Sequence, residues 1–177
     1  MVKIKMRALF IVAQDGYQDY EYGAPKSILE KAGIQVITAS KKAGICKGKL
    51  GGTTKAEISL SEVNVSEYDA VVFVGGPGAV VYQHDAQAHL IAQEAVKEGK
   101  VLAAICIAPA ILAYAGVLKG KKATVWNEDG GQKDVLEKNG AKYVAESVVT
   151  DGRIVTASGP PAAEQFGKAV LQLLKAR

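Results

Sequence analysis

Cysteine and histidine are scarce in this sequence. The two cysteines, Cys46 and Cys106, are too few for a disulfide framework. Two thiols in a chain without a recognisable signal sequence predict a reducing, cytoplasmic location. The two histidines, His84 and His89, lie too close together for a zinc site shared with cysteines, so we expect no metal. Cys46 lies in a segment rich in lysine and glycine, where we expect an exposed loop thiol without a specific role.

Long apolar runs and a strong charge of one sign are also missing. No stretch approaches the roughly 20 apolar residues that cross a bilayer, so we expect no membrane partner. Lys and Arg number 22 against 18 Asp and Glu, and the net charge of +4 is too small to indicate nucleic-acid binding. With 49% hydrophobic and 23% charged residues, the composition excludes disordered, collagen-like and coiled-coil proteins. The length predicts one domain over residues 1–177.

Short apolar runs alternate with helical segments along the chain. We expect strands at 8–13, 35–39, 70–74, 101–105, 148–150 and 154–156, with a further strand beginning at 124–126. We expect helices at 20–32, 86–98, 109–115, 135–138 and 162–174, and a small hairpin within 41–59. This alternation predicts a mostly parallel α/β sheet with helices on both faces.

Three loops follow the ends of expected parallel strands. They are 14–21, 75–78 and 106–109. In an α/β sheet, ligands bind outside the carboxyl ends of the strands. We therefore expect these loops to converge on one crevice.

Cys106 stands where a strand meets a helix, with one residue expected at the turn. Pro109 suits the start of that helix, because its φ is fixed and it lacks an N–H donor. A thiol there would face the positive end of the helix dipole, which lowers its pKa and raises its reactivity. A buried structural cysteine is an equal alternative from spacing alone.

Two further positions have both a chemical and a structural interpretation. The glycine-rich turn Gly75-Gly76-Pro77-Gly78 offers free N–H donors for an oxyanion, but it also fits a simple tight turn. The turn matches neither the dinucleotide fingerprint nor the P-loop.

Glu21 lies at the start of the first expected helix. A carboxylate there is typical of a surface residue that interacts favourably with the helix dipole. In the alternative, it points at Cys106, and burial raises its pKa so that it donates a hydrogen bond to the sulfur.

Together these residues resemble the ThiJ/PfpI superfamily, which includes an intracellular protease branch and a protein deglycase branch. The motifs are YEYGAP at 20–25, VGGPG at 74–78, AAICIAP at 103–109 and GVLKGK at 116–121, and the resemblance spans 7–174. It implies a flavodoxin-like α/β sandwich that assembles as homodimers or hexamers. It also implies that Cys106 is the reactive cysteine in a strained turn and that Glu21 is its hydrogen-bonding partner. The backbone oxyanion donors fall on Gly76 and Ile107, with Gly75 in the pocket.

The chain departs from both named branches. The protease branch has a histidine directly after the cysteine, where this chain has Ile107, and takes a glutamate from a neighbouring subunit at the position of Val80. The deglycase branch often has a histidine at a position that Trp126 occupies in this pocket. Because peptide hydrolysis needs a general base and an acid for the leaving amine, these changes favour a non-protease branch.

Three functional hypotheses follow from the resemblance. The first is a stress-response enzyme of glyoxalase or deglycase type, in which Cys106 attacks a 2-oxoaldehyde or its protein adduct and no cofactor is needed. Its partners are then a small aldehyde or a glycated protein. The second is a non-enzymatic redox sensor or chaperone, in which Glu21 stabilises an oxidised Cys106. The third, a cysteine peptidase or amidase, is disfavoured by Ile107.

Overall fold

The computed structural model describes residues 4–176, and strands alternate with helices through most of that range. The strands are β1 (Arg7–Ile11), β2 (Asp15–Tyr17), β3 (Gln35–Ser40), β4 (Gly44–Gly48), β5 (Thr53–Ala56), β6 (Ile58–Ser59), β7 (Ala70–Phe73), β8 (Val101–Ile105), β9 (Lys122–Ala123), β10 (Lys142–Tyr143), β11 (Val148–Asp151) and β12 (Ile154–Ala157). The α-helices are α1 (Asp19–Lys31), α2 (Ala86–Lys97), α3 (Pro109–Tyr114), α4 (Gln132–Lys138) and α5 (Ala163–Lys175).

The central sheet has seven strands in the order β11-β12-β8-β7-β1-β3-β6. Its neighbours pair in parallel, except for the antiparallel hairpin of β11 and β12 at one edge. Every residue of β7 and β8 is buried, because helices cover both faces of the sheet. This arrangement confirms the predicted mostly parallel α/β sandwich.

The core is divided between the two faces of the sheet. Along β1, Leu9 and Ile11 pack into one apolar cluster with residues of α2 and α3. Phe10, between them, points to the other face and packs with residues of α1 and α5. This alternation follows from the two-residue repeat of a strand, so a single apolar run serves two cores. Burying each such side chain contributes about 1.5–3 kcal/mol to folding.

Two small sheets lie outside the central one. The predicted hairpin in 41–59 is present as antiparallel β4 and β5, and β2 extends it on one side. The prediction of an exposed loop thiol at Cys46 is wrong, because the side chain is buried on the inward face of β4. A buried sulfur in a strand packs as a small apolar group.

The prediction that a strand begins at 124–126 is also wrong. The strand here is β9, which ends at Ala123 and pairs in parallel with β10. Beyond it the backbone leaves the ladder, since the N–H of Thr124 donates to the Thr156 hydroxyl at 3.0 Å. The N–H of Trp126 then donates to the carbonyl of Cys106 at 2.9 Å. This segment is fixed to the end of β8 and does not extend a sheet.

Within residues 4–176, no helix combines the length and the apolar character needed to cross a bilayer.

Candidate active site

Cys106 occupies a strained turn directly after β8. Its φ is 64°, and it is the one non-glycine residue with a positive φ between residues 4 and 176. Such a conformation costs about 1–3 kcal/mol and persists only where the surroundings impose it. Two backbone bonds do so here, from the Cys106 N–H to the Ala157 carbonyl at 2.8 Å and from the Trp126 N–H to the Cys106 carbonyl at 2.9 Å. The backbone of the turn is therefore held in place, and Cys106 is partly exposed.

The turn after Cys106 is longer than the sequence analysis predicted. Three residues, Cys106, Ile107 and Ala108, separate β8 from α3, where one residue was expected. The helix α3 has six residues and begins at Pro109, as predicted. Its short length limits the dipole that reaches the thiol.

Glu21 is fully buried in the first turn of α1, which decides against a surface role. The helix cap holds it there, because the Glu21 N–H donates to Oε1 of Gln18 at 2.8 Å. The Gln18 N–H in turn donates to the carbonyl of Gly75 at 3.0 Å. The second bond attaches the start of α1 to the turn that follows β7. Together the two bonds hold Glu21 where its carboxyl group lies next to the thiol of Cys106.

Gly75 and Gly76 allow this close approach. A Cβ atom on Gly75 would strike Oε1 of Glu21 and would lie 2.7 Å from Cβ of Cys106. A Cβ atom on Gly76 would lie 2.5 Å from the backbone nitrogen of Gln18, and Gly76 also has a φ of 106°. Both positions therefore need glycine for contact with Glu21, Cys106 and Gln18. The glycine-rich turn is a packing requirement of the site as well as a source of N–H donors.

Burial controls the charge on Glu21. Burial raises the pKa of its carboxyl group to about 7, while the Cys106 thiol, the Gly75 N–H and the Lys49 charge act in the opposite direction. Neither carboxylate oxygen has a well-aligned hydrogen-bond partner among residues 4–176. The thiol and the Gly75 N–H therefore act on Glu21 through proximity more than through formed hydrogen bonds. A carboxyl group that is removed from water and has no hydrogen-bond partner is more stable in its neutral form than as a carboxylate.

The pKa of Cys106 is raised, whereas the sequence analysis expected it to be lowered. Burial and the negative charge of Glu21 raise the pKa of the thiol to about 12. The backbone N–H groups of Gly76 and Ile107 favour the thiolate, but they do not offset both causes. The expectation was wrong because it counted the helix dipole and omitted the buried carboxyl group beside the sulfur.

Cys106 and Glu21 act as one acid–base unit. Because the two groups interact strongly, their titrations belong to the pair. With the first ionisation near pH 7 and the second near pH 12, the pair holds one proton over the interval between them. When that proton resides on Glu21, the negative charge that disfavours the thiolate is gone. A thiolate then forms beside a neutral carboxyl group that can donate to it.

The Cys106 turn opens into a cleft of about 1130 Å³. Gly76, Ile107 and Trp126 line it together with the thiol. This volume exceeds what a three-carbon aldehyde fills, since pockets of roughly 300–1,000 Å³ hold drug-sized ligands. The cleft therefore has room for an aldehyde carried on a larger molecule.

The cleft is lined by charged residues of both signs. Lys49 lies at the tip of the β4–β5 hairpin, next to Leu50, whose N–H donates to Asp19 in α1. Glu128, Asp129 and Glu146 belong to the segments that follow β9 and β10. Among residues 4–176, no group of three or more His, Cys, Asp or Glu side chains is arranged to hold a metal ion.

The structure brings together every site residue that the sequence indicated. Gly75 lies between Glu21 and Cys106, and Gly76, Ile107 and Trp126 line the cleft. Gln18 and Lys49 also line the cleft, and neither is among the predicted site residues. Gln18 stands three residues before Glu21, where a helix cap is found, and that spacing could have revealed it. Lys49 had no local signal, because only the folded hairpin carries it to the cleft.

Comparison with known proteins agrees with this geometry. The model of the DJ-1/PfpI family matches residues 6–173. The chain belongs to the DJ-1/PfpI family. The ThiJ/PfpI resemblance read from the four motifs is therefore confirmed, and so is the flavodoxin-like fold.

Relatives within the DJ-1/PfpI family have different names. Deglycase PfpI of Pyrococcus furiosus is 34% identical over 96% of this chain and 100% of its own length. Putative cysteine protease YraA of Bacillus subtilis is 31% identical over 96% of this chain and 99% of its own. The crystal structure of a ThiJ/PfpI domain protein from Brachyspira murdochii superposes with a TM-score of 0.93 at 33% identity, covering 98% of this chain and 99% of that one.

Proposed function

We propose that this chain is a cofactor-independent glyoxalase or deglycase that acts through Cys106 on 2-oxoaldehydes or on their adducts with amines and thiols. The observation that carries the proposal is the coupled pair of Cys106 and Glu21, in which Cys106 lines an open cleft and Glu21 lies buried behind it. A relative named deglycase, alignable over 96% of the chain, supports the same class of reaction.

The first step is the addition of the thiolate to the aldehyde. With the shared proton on Glu21, the Cys106 sulfur forms a bond to the aldehyde carbon, and the C=O electron pair moves to oxygen. In this step the N–H groups of Gly76 and Ile107 donate to that oxyanion, and their effect on the sulfur supports this role, because they favour negative charge there. Glu21 then gives its proton to the oxygen, and a hemithioacetal results.

The second step moves hydrogen between the two carbons. The Glu21 carboxylate removes the proton from the first carbon and leaves an enediolate. The hydroxyl proton passes from the first oxygen to the second, and Glu21 returns its proton to the second carbon. The product is a thioester of a 2-hydroxy acid, which water cleaves to the acid and the free thiol. A carboxyl pKa of about 7 suits a group that must both accept and donate a proton near neutrality.

Proteolysis is less well supported by the site. Ile107 supplies no imidazole next to Cys106. The ring of His84 packs at a tilt against Tyr114, and Nε2 of His89 hydrogen-bonds to the carbonyl of Gln83 at 2.6 Å, so neither ring is a partner of the thiol. Without such a partner, the leaving amine of a peptide lacks its acid.

Redox sensing is the second candidate, and one observation favours it. Cys106 is partly exposed and its neighbouring carboxyl group has oxygens without a well-aligned partner, so Glu21 in its neutral form could hydrogen-bond a sulfinate at Cys106. Exposure to mild peroxide followed by intact-mass analysis separates the candidates. A sensor gains two oxygens at Cys106 and shows no turnover of aldehydes.

The test of the proposed function is methylglyoxal consumption with lactate as the measured product. The native chain should convert one to the other, and Cys106→Ser should abolish the conversion. Cys46→Ala is the matched control, because it removes the other thiol, which is buried in β4 away from the cleft. Equal turnover by the native chain and Cys106→Ser would overturn the proposal.

A further inference from the structure

Gln18 uses only part of its hydrogen-bonding capacity to support the fold. Oε1 accepts from the Glu21 N–H at 2.8 Å, and the backbone N–H donates to the Gly75 carbonyl at 3.0 Å. The residue is 9% exposed and is one of those that line the cleft containing Cys106. The amide is therefore fixed in orientation by the same bond that caps α1.

The amide nitrogen of Gln18 is available to donate a hydrogen bond to a molecule in the cleft. Residues 4–176 supply no acceptor for Nε2, and this atom is not among their fully buried side-chain atoms that lack a partner. Nε2 therefore has some accessible surface, and Gln18 lines the cleft together with Cys106 and Gly76. A neutral donor with two N–H groups thus faces the space beside the thiol.

We propose that Gln18 is a substrate-contacting residue, whose Nε2 donates a hydrogen bond to the second carbonyl oxygen of a 2-oxoaldehyde. This inference rests on the proposed function. When Cys106 holds the first carbon, the N–H groups of Gly76 and Ile107 hold the first oxygen. The second oxygen lies one carbon further into the cleft, and it gains the negative charge when Glu21 removes the proton. A donor at that place stabilises the enediolate.

The amide transfers no proton in this scheme. The proton moves between the carbons through Glu21, and Gln18 only binds the oxygen on which charge develops. Because the bond is stronger to the enediolate than to the ketone, its loss should lower kcat more than it raises KM. Removing one donor to a developing oxyanion lowers kcat by about 100- to 1,000-fold in comparable sites.

Gln18→Ser separates the two roles of the side chain. Serine is a good helix cap and accepts from the same N–H, but it lacks the amide that reaches into the cleft. We expect native thermal stability, a native pH profile for alkylation of Cys106, and a kcat for methylglyoxal at least 10-fold lower. Gln18→Ala loses the cap as well, so its Tm should also fall. Gln87→Ser, on the exposed surface of α2, is the control and should keep the native kcat.

The outcomes distinguish this inference from the proposed function. No Cys106-dependent lactate formation by the native chain would overturn the proposed function and the inference with it. Cys106-dependent turnover that Gln18→Ser leaves at the native kcat would overturn the inference alone. A lower kcat accompanied by a shifted alkylation profile would also overturn it, because Gln18 would then act by positioning Glu21.

Discussion

The buried carboxyl group of Glu21 lies against the Cys106 turn, and each group alters the acidity of the other. Glycine at position 75 makes this contact possible, since any side chain there would strike both residues. The carboxyl group is neutral at acidic pH and ionises near pH 7, so the charge beside the thiol changes in this range. The acidity of Cys106 therefore depends on the protonation state of Glu21.

Replacing Glu21 by glutamine should change how stability depends on pH. The folded-state pKa of about 7 lies above the ordinary value of 4.5, so the folded chain binds more protons than the unfolded chain between these values. The native free energy of unfolding should therefore fall as pH rises through this window, by about 2–3 kcal/mol. Glu21→Gln has no carboxyl group at this position and should lack this fall.

Urea unfolding at pH 5 and pH 8 measures this difference. Glu94→Gln, a change on α2 away from the site, should keep the native pH dependence. If Glu21→Gln and the native chain lose the same stability between the two pH values, then Glu21 does not ionise in this window.

Gly75→Ala should damage both folding and activity. The added Cβ would lie 2.6 Å from the carbonyl oxygen of Ile105 and 2.7 Å from Cβ of Cys106, so the turn must move. Overpacking of this kind typically costs 1–3 kcal/mol, about the cost that we expect here. Thermal unfolding and lactate formation together measure the two effects.

Gly23→Ala is the matched control for that change. Gly23 lies within α1, and a Cβ there meets nothing within 4 Å. Alanine in a helix should stabilise the chain by about 0.5–1 kcal/mol relative to glycine and leave turnover unchanged. Equal effects of the two substitutions would contradict the contact described for Gly75.

Asp19→Ala should loosen the hairpin tip that carries Lys49. The Asp19 carboxylate accepts from the N–H of Leu50 at 2.7 Å and from the N–H of Gly52 at 2.8 Å. Hydrogen exchange at these two amides should become faster by about 10-fold. A hydrogen bond to a charged group contributes about 1.5–3 kcal/mol, and we expect the lower end here because the two bonds are exposed to solvent. Asp19→Asn keeps one acceptor and should protect one amide. Unchanged exchange in Asp19→Ala would show that other bonds hold the tip.

The two cysteines should differ in their reaction with mild peroxide. Cys46 is fully buried in β4, and Cys106 is partly exposed to the cleft. Peptide mapping after a short exposure should find oxygen at Cys106 first, because reaction requires access to the sulfur. Earlier modification of Cys46 would contradict this prediction. It would mean that local opening of β4 gives peroxide faster access to Cys46 than the cleft gives it to Cys106.

Much of the fold could be predicted because local patterns agree with the tertiary structure. The apolar runs at β7 and β8 are buried on both faces, and their composition already indicates that. The failures occur where a contact distant in sequence decides the local structure. The Trp126 backbone bonds the Cys106 carbonyl instead of extending β9, and no pattern around Trp126 reports that bond.

The candidate site could likewise be predicted only in part. The positions of Cys106 and Glu21 follow from motifs at strand and helix ends, so the sequence predicts which residues meet. Their acidity depends on how much water the fold excludes, and local sequence does not report that. The pKa of Cys106 was consequently predicted in the wrong direction.

The most direct test of the coupled pair is the rate of Cys106 alkylation by iodoacetamide as a function of pH, in the native chain and in Glu21→Gln. Cys46→Ala serves as the background for both, so that only one thiol reacts. The native profile should show an inflection near pH 7, where the pair loses its first proton. Glu21→Gln should lack that inflection and show a single thiol titration at higher pH. An inflection near pH 7 that survives in Glu21→Gln would contradict the assignment of the shared proton to these two residues.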